Sequence, residues 1–391
     1  MKVNEITFTQ DQIRDILTQI AQEEDGYNRL MKLAIEALMQ GERMIYNEQI
    51  GDVSNGYRPR KTFGRGKILE LRVPRTRQGN FYPLLLGLLK DEEEECRKIA
   101  FSLYGAGLTC QQVGEVFEEL YGKHYSSSQV SRMFDYAREE VQQWLSRPLE
   151  GYYPIVFIDA VYISTRRIDH VSKEAYYTIL GVKSDRSREV LAIVNFPTES
   201  SMGWEEVFSA IKARGVERID LVVCDGLTGI ENAIGKHYGM ANIQLCTVHL
   251  ERNLQKYVKP KDKAALARDF DEVFKVGDSR HDKQKAQAAW KQFCAKWGKY
   301  YPAIGRKAHQ PRMDLYFTYL DYDYRIQSMI HTTNWIERLN RDYKRTVRMR
   351  GSLPNNESVI LLLGHVAMTR KAYQRKIPLL NYESEKFNWS E

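Results

Sequence analysis

The stretch Tyr153-Pro154-Ile155-Val156-Phe157-Ile158-Asp159-Ala160-Val161-Tyr162-Ile163 runs from an unbroken apolar segment, Ile155 to Ile158, straight into an aspartate. A continuous apolar run of this kind is the pattern of a strand covered on both faces. A carboxylate at or just past the end of such a strand is either costly or employed, because burying an unpaired charge is strongly unfavourable. The stretch Ile219-Asp220-Leu221-Val222-Val223-Cys224-Asp225-Gly226 has the same form. Asp225-Gly226 alone also reads as a strand-end turn.

Working outward, strands are predicted at 153–163, 175–183 and 188–196, a helix from Trp204 to Arg214, and a strand at 219–224. A helix from Gly226 to Tyr238 and a short strand from Asn242 to Cys246 follow. Three strands, a helix and another strand make an α/β (α+β) mixed sheet flanked by helices.

A third carboxylate stands in Thr332-Thr333-Asn334-Trp335-Ile336-Glu337-Arg338-Leu339-Asn340-Arg341-Asp342-Tyr343-Lys344. Threonine and asparagine are expected to cap this helix. Ile336, Leu339 and Tyr343 form a narrow apolar stripe at helical spacing, and Glu337, Asn340, Arg341 and Lys344 a polar one. Taken alone, the polar stripe is also what a solvated face with intrahelical ion pairs looks like. Together with Asp159 and Asp225, Glu337 completes a set of oxygen ligands suited to a hard divalent cation.

The net charge is +7, and the basic residues are clustered. Between Arg58 and Arg77 there are eight of them against Glu70, and between Arg338 and Arg350 six against Asp342. Such patches point to a polyanionic partner. Five scattered cysteines argue against a disulfide framework and for a reducing compartment. No secretory signal or membrane-length apolar run is present, so a cytoplasmic, nucleoid-associated protein without membrane contact is expected.

The first 45 residues hold two helices, at 10–22 and from Asn28 to Gly41, the second apolar nearly all round. That favours burial against a second subunit, and a homodimer is expected. Residues 46–90 read as a basic, strand-containing element in which 68–73 alternates at period two and Pro74 ends the strand. Arg58, Lys61, Arg65, Arg72, Arg75 and Arg77 are its candidate phosphate contacts, which position a protein without specifying sequence. Residues 91–146 are helical: Glu92 to Tyr104, a second helix from Leu108-Thr109 to Tyr121, a turn at Gly122-Lys123-His124-Tyr125, and a third helix capped by Ser126 to Ser128 that runs through Val141. This resembles a helix-turn-helix, with Ser128, Gln129, Ser131 and Arg132 as the reading residues. Plain three-helix packing gives the same pattern.

The segments Ile158-Asp159-Ala160-Val161-Tyr162, Cys224-Asp225-Gly226, Cys246-Thr247-Val248-His249 and Thr332 to Asn340 together resemble the bacterial insertion-sequence transposases of the Mutator-like type, within the DDE superfamily. The resemblance implies a ribonuclease H-like catalytic domain at 152–248 and 329–375, interrupted by a helical insertion at 249–328, with a tail at 376–391. It implies DNA as partner, both the terminal inverted repeats and the target. Two Mg2+ per site, replaceable by Mn2+, are expected, Asp159 bridging them and Asp225 and Glu337 each holding one. Lys344 matches the basic residue that the family carries seven positions after its glutamate, and Asn340 shares its stripe. Arg341, Arg345 and Arg348 extend the basic surface. Cys246 and His249 match the family's Cys-x-x-His pair. Zinc wants about four ligands and no second Cys/His pair is near, so a packing role is expected. Trp335 and Leu353-Pro354 depart from the family's usual residues without touching the proposed ligands. A structure-selective nuclease and a non-catalytic regulator of the same descent are the alternatives.

Overall fold

The chain divides into two compact units, Met1–Ala137 and Arg138–Glu391. The computed structural model describes residues 9–63, 68–121, 125–196, 201–348, 350–370, 373 and 375–376. Arg65, the turn residues 122–124 and the tail beyond 376 lie outside the described residues.

In the first unit, the helix Gln10–Ala21 opens on a capping box between Thr9 and Gln12. Its apolar residues Ile13, Ile16 and Leu17 stay exposed. The next helix, Gly26–Ile50, runs past its expected end at Gly41, since one interior glycine costs only about 1 kcal/mol. It stops at Gly51, whose φ of 76° is the left-handed C-cap that glycine takes without strain. Ile35 and Met39 pack with Leu71, Val73 and Leu86, while Leu33, Leu38, Met44 and Ile45 face outward.

Strands β1 (Ser54–Phe63) and β2 (Ile68–Thr76) form an antiparallel ribbon. Pro74 does not end β2, contrary to the expectation. The Arg72 N–H is accepted by the Glu36 carboxylate at 2.8 Å, so this side of β2 faces away from β1. Two residues on, a proline there removes no ladder bond.

The helices Leu84–Ala106, Cys110–Tyr121 and Ser127–Met133 follow. Gly114 permits their close approach, because a Cβ there would stand 2.3 Å from the Tyr125 carbonyl oxygen. The helix expected to run through Val141 is two helices: it breaks at Phe134 and resumes as Asp135–Ser146. The Phe134 ring lies 5.2 Å from Phe101 and 4.8 Å from Tyr104, a packing that helical periodicity does not announce.

The second unit is built on a five-stranded mixed sheet of order β5-β4-β3-β6-β7. Its strands are β3 (Tyr152–Arg166), β4 (Val171–Val182), β5 (Arg188–Asn195), β6 (Arg218–Cys224) and β7 (Asn242–Leu245). The first three are antiparallel neighbours, and β6 and β7 run parallel to β3. Asp159 does not end its strand, because β3 stays paired with β4 as far as Arg166↔Val171. What ends there is the ladder with β6, whose last pair is Ile158↔Cys224. Beyond the gap Leu353 takes over the lane, donating its N–H to Ser164 O at 2.9 Å and accepting from Arg166 N at 2.8 Å.

Side chains alternate across the sheet. The face of Ala160 and Tyr177, which pair across the strands, carries the helix Ser201–Ala213, with the Trp204 ring 5.1 Å from Tyr177. The face of Asp159 and Thr178 carries the helix Asn334–Val347. The helix expected from Gly226 begins at Ile230, after a turn that ends in Gly229 at φ 78°. Between β7 and Asn334 the described elements are all helical, with an aromatic core of Phe270, Phe274, Trp290, Phe293 and Phe317. No helix among the described residues is long and apolar enough to cross a membrane.

Candidate active site

Asp159 and Asp225 each follow the final pair of the β3–β6 ladder, so two neighbouring parallel strands deliver them side by side. Asp159 is 7% exposed. Its Oδ2 accepts from Asn340 Nδ2 at 2.8 Å, and its Oδ1 lies 3.9 Å from His249 Nε2. Burial pushes the Asp159 carboxyl up to about 6; His249 opposes this, and the charges of Asp225 and Glu337 add to it. Asp225 Oδ1 accepts from Gly226 N at 2.7 Å.

Glu337 stands in the first turn of Asn334–Val347, where the helix dipole favours a carboxylate. Ile336, Leu339 and Tyr343 are fully buried, as the apolar stripe requires. Asn340, placed on the polar stripe by its type, is buried as well, at 4% exposure, because the helix turns it onto Asp159. Lys344, Arg341, Arg345 and Arg348 are exposed. Thr333 does not cap the helix with its side chain; its hydroxyl donates instead to Cys246 Sγ at 3.6 Å.

Cys246 ties the two halves of the site together. Its N–H donates to Cys224 O at 2.8 Å, one residue before Asp225, and its sulfur takes the Thr333 hydroxyl. Thr247 adds two bonds to the His331 carbonyl oxygen, both 3.1 Å, from its N–H and its hydroxyl. His249 follows on the helix Thr247–Gln255. Contact with Cys246 raises its pKa to about 9; burial opposes this, and Asp225 and Asp159 contribute to the rise.

Arg252 was not marked by any sequence motif. It donates from Nη2 to Glu337 Oε1 at 3.0 Å, across 85 residues of chain. The one available signal was its phase, three residues after His249 on the same helix.

The expected DNA contacts are all in the first unit or on the Glu337 helix. Ladder pairs place Lys61, opposite Glu70, on the same ribbon face as Arg72, opposite Pro59. Arg58, opposite Val73, is on the other face. Arg75 and Arg77 are exposed near the end of β2 and just beyond it. Ser128 and Arg132 are exposed and Ser131 is half-buried, whereas Gln129 closes a capping box with Ser126.

Among the described residues, no three His, Cys, Asp or Glu side chains are gathered at metal-holding distance. Asp159 is turned to Asn340, Asp225 to Gly226 N and Glu337 to Arg252. In kind, the donors nevertheless fit a hard divalent ion. The charges of Asp225 and Glu337 oppose ionisation of Asp159, and the buried Asn340 Oδ1 beside it has no hydrogen-bond partner.

Two aspartates delivered side by side by neighbouring strands, and exposed basic residues along the Glu337 helix, suit a protein with a polyanionic partner. The family model described as "Transposase, Mutator family" matches residues 2–375, and the chain belongs to that family. It is 30% identical over 368 residues to the transposase of insertion sequence element IS1201 of Lactobacillus helveticus, covering 93% of this chain and 96% of that one. It is 31% identical over 308 residues to the transposase of ISRM3 of Rhizobium meliloti, covering 79% and 76%. The Drosophila P element transposase strand transfer complex is a distant structural neighbour at 9% identity and a TM-score of 0.35, covering 72% of this chain and 93% of that one.

Proposed function

We propose that this transposase binds the terminal inverted repeats of an insertion sequence and cuts and joins DNA strands at Asp159, Asp225 and Glu337. The observation that carries the reading is the parting of β3 and β6, which sets two aspartates side by side under a helix fastened to one of them by Asn340. Strand order β5-β4-β3-β6-β7 supports a ribonuclease H-like core at 152–248 and 329–375, with 249–328 as a helical insertion.

Two Mg2+ ions, or Mn2+ in their place, would supply charge neutralisation of the attacking and leaving oxygens in an in-line displacement. Asp159, Asp225 and Glu337 would hold them. Asn340 fixes the Asp159 carboxylate and keeps one oxygen free beside it. Arg252 holds Glu337 by a hydrogen bond from its guanidinium. Lys344, two helical turns beyond Glu337, is set to meet a phosphate near the scissile bond.

Three hydroxyl or thiol groups near the proposed ligands in sequence, Tyr162, Tyr343 and Cys224, are poorly placed as nucleophiles. Tyr162 is exposed, and its odd offset from Asp159 puts it on the opposite face of β3. Tyr343 and Cys224 are fully buried, and burial raises the pKa of both. Their placement supports direct attack by water and then by a freed 3′-hydroxyl.

For the first unit, the reading is a helical dimerisation region at 1–45, a phosphate-contacting ribbon at 46–90 and a helix-turn-helix-like reader at 91–146. The exposed apolar residues Ile13, Ile16, Leu17, Leu33 and Leu38 support a homodimer.

Incubating the full chain with a labelled transposon end, target plasmid and magnesium tests the central claim. Cut ends joined to target are expected. Repeat binding without cleavage would leave only a DNA-binding protein.

A further inference from the structure

Two cavities in the second unit share three lining residues, Tyr257, Lys307 and Gln310. The first, about 330 Å³, begins at Asp225 and Gly226 and is also lined by Lys256 and Arg312. The second, about 380 Å³, continues to Arg306 and His309. Together they form one groove that leads away from Asp225, the only carboxylate among the residues lining either cavity.

The lining is held in place. Gln244 on β7 donates from Nε2 to Tyr316 O at 3.0 Å and accepts from Tyr319 N at 2.6 Å, which fastens the Tyr316 segment to the sheet. Arg312 takes a left-handed φ of 73°, a strained backbone for a side-chain-bearing residue, and its guanidinium is paired with Glu231. Lys256 Nζ donates to Asn253 Oδ1 at 2.7 Å. Arg306 and Lys307 have no acidic partner among the described residues. At the junction of the two cavities stands Tyr257, 55% exposed although aromatic.

We infer that this groove is a binding channel for a single DNA strand entering or leaving the site at Asp225, with Tyr257 stacking on a base and Arg306 and Lys307 on phosphates. The inference rests on the proposed site only for the choice of DNA as ligand. Unpaired cations ask for an anion, and an exposed aromatic ring among them asks for a flat partner. A nucleotide offers both, and a repeat of phosphate and base fits two cavities joined end to end around one ring. The first cavity, about 330 Å³, lies at the lower end of the small-molecule range, so it has room for one nucleotide of a strand and not for a duplex.

The test uses the full chain in chelator, with a fluorescent short oligothymidylate and a duplex of equal length as probes. Tyr257→Ala should weaken oligothymidylate binding about tenfold, since one lost stack has that effect, and leave duplex binding unchanged. Tyr257→Phe should bind as the parent does. Arg306→Ala with Lys307→Ala should flatten the log affinity against log salt line by about 1.4, at about 0.7 for each single-strand phosphate contact. Photo-crosslinking with iododeoxyuridine in the oligomer should label the peptide that contains Tyr257. Unchanged affinity and slope in these variants, or crosslinks found only elsewhere, would overturn the inference. Because no metal or cleavage is involved, the two readings fail separately. A chain that joins strands but fails here keeps the proposed activity, and one that passes here but cuts nothing keeps only the groove.

Discussion

Arg252 Nη2 lies 3.0 Å from Glu337 Oε1, so the carboxylate that stands farthest along the chain from its partners is held by a cation rather than by them. The pair is partly exposed, and such pairs contribute about 1 kcal/mol or less to stability. Arg252→Ala should therefore unfold within a few degrees of the parent. Its effect should fall on ion binding: titration calorimetry with Mn2+ in the absence of DNA should give tighter binding in Arg252→Ala than in the parent. Unchanged or weaker binding would mean that Arg252 does not compete for Glu337.

Asp159→Asn, Asp225→Asn and Glu337→Gln each remove a charge and little bulk. Each should reduce strand cleavage and joining to background while repeat binding stays within about twofold, because a lost ligand of a two-ion centre affects the transition state and not distant phosphate contacts. Gel-shift and strand-transfer assays on the same preparations read both. Full joining activity in any one variant removes that residue from the site.

Two buried groups should oppose each other in the pH dependence of stability. The Asp159 carboxyl rises from 3.8 to about 6 on folding, so its contribution is favourable below 3.8 and is lost as pH climbs through 6. Burial lowers the His331 pKa from 6.5, so its contribution is present above 6.5 and is lost as pH falls through the depressed value. At neutral pH, metal-free Asp159→Asn should be stabilised by on the order of 2 kcal/mol. Thermal melts from pH 5 to 8 check this, and an Asn variant that melts below the parent at pH 8 would contradict it.

On the ribbon, Lys61 and Arg72 share one face. Replacing both with alanine should flatten the salt dependence of end binding by about 1.8, at about 0.9 for each duplex phosphate contact. An unchanged slope would make the ribbon a connector.

If water and a freed 3′-hydroxyl attack directly, as proposed, end-labelled DNA should leave no label on the polypeptide in denaturing gels. A chiral phosphorothioate at the target position should come out inverted after joining. A covalent adduct or retention of configuration would require an enzyme-linked strand.

The strands that carry Asp159 and Asp225 and the helix that carries Glu337 were legible because Ile155–Ile158 and Leu221–Cys224 are unbroken apolar runs and Ile336, Leu339 and Tyr343 keep helical phase. Hydrophobic pattern reports burial well. It says nothing of partners far along the chain, which is why Arg252 carries no mark in the sequence and why the hydrogen bond from Asn340 to Asp159 is not visible there. Phe134 and Pro74 misled for a related reason. Aromatic packing ended one helix, and a strand side facing away from its ladder neighbour tolerated a proline.

The Glu337 helix is fastened at both ends, through His331 and Thr333 to the residues after β7 and through Leu353 to Ser164 and Arg166. For the site, the chain between 256 and 326 is thus a closed loop. Loop-closure entropy grows only with the logarithm of length, about 0.6 kcal/mol for each doubling. Residues added near the solvent-facing turn at Gly277, where nothing lies within 4 Å of a built Cβ, should leave the position of Glu337 unchanged.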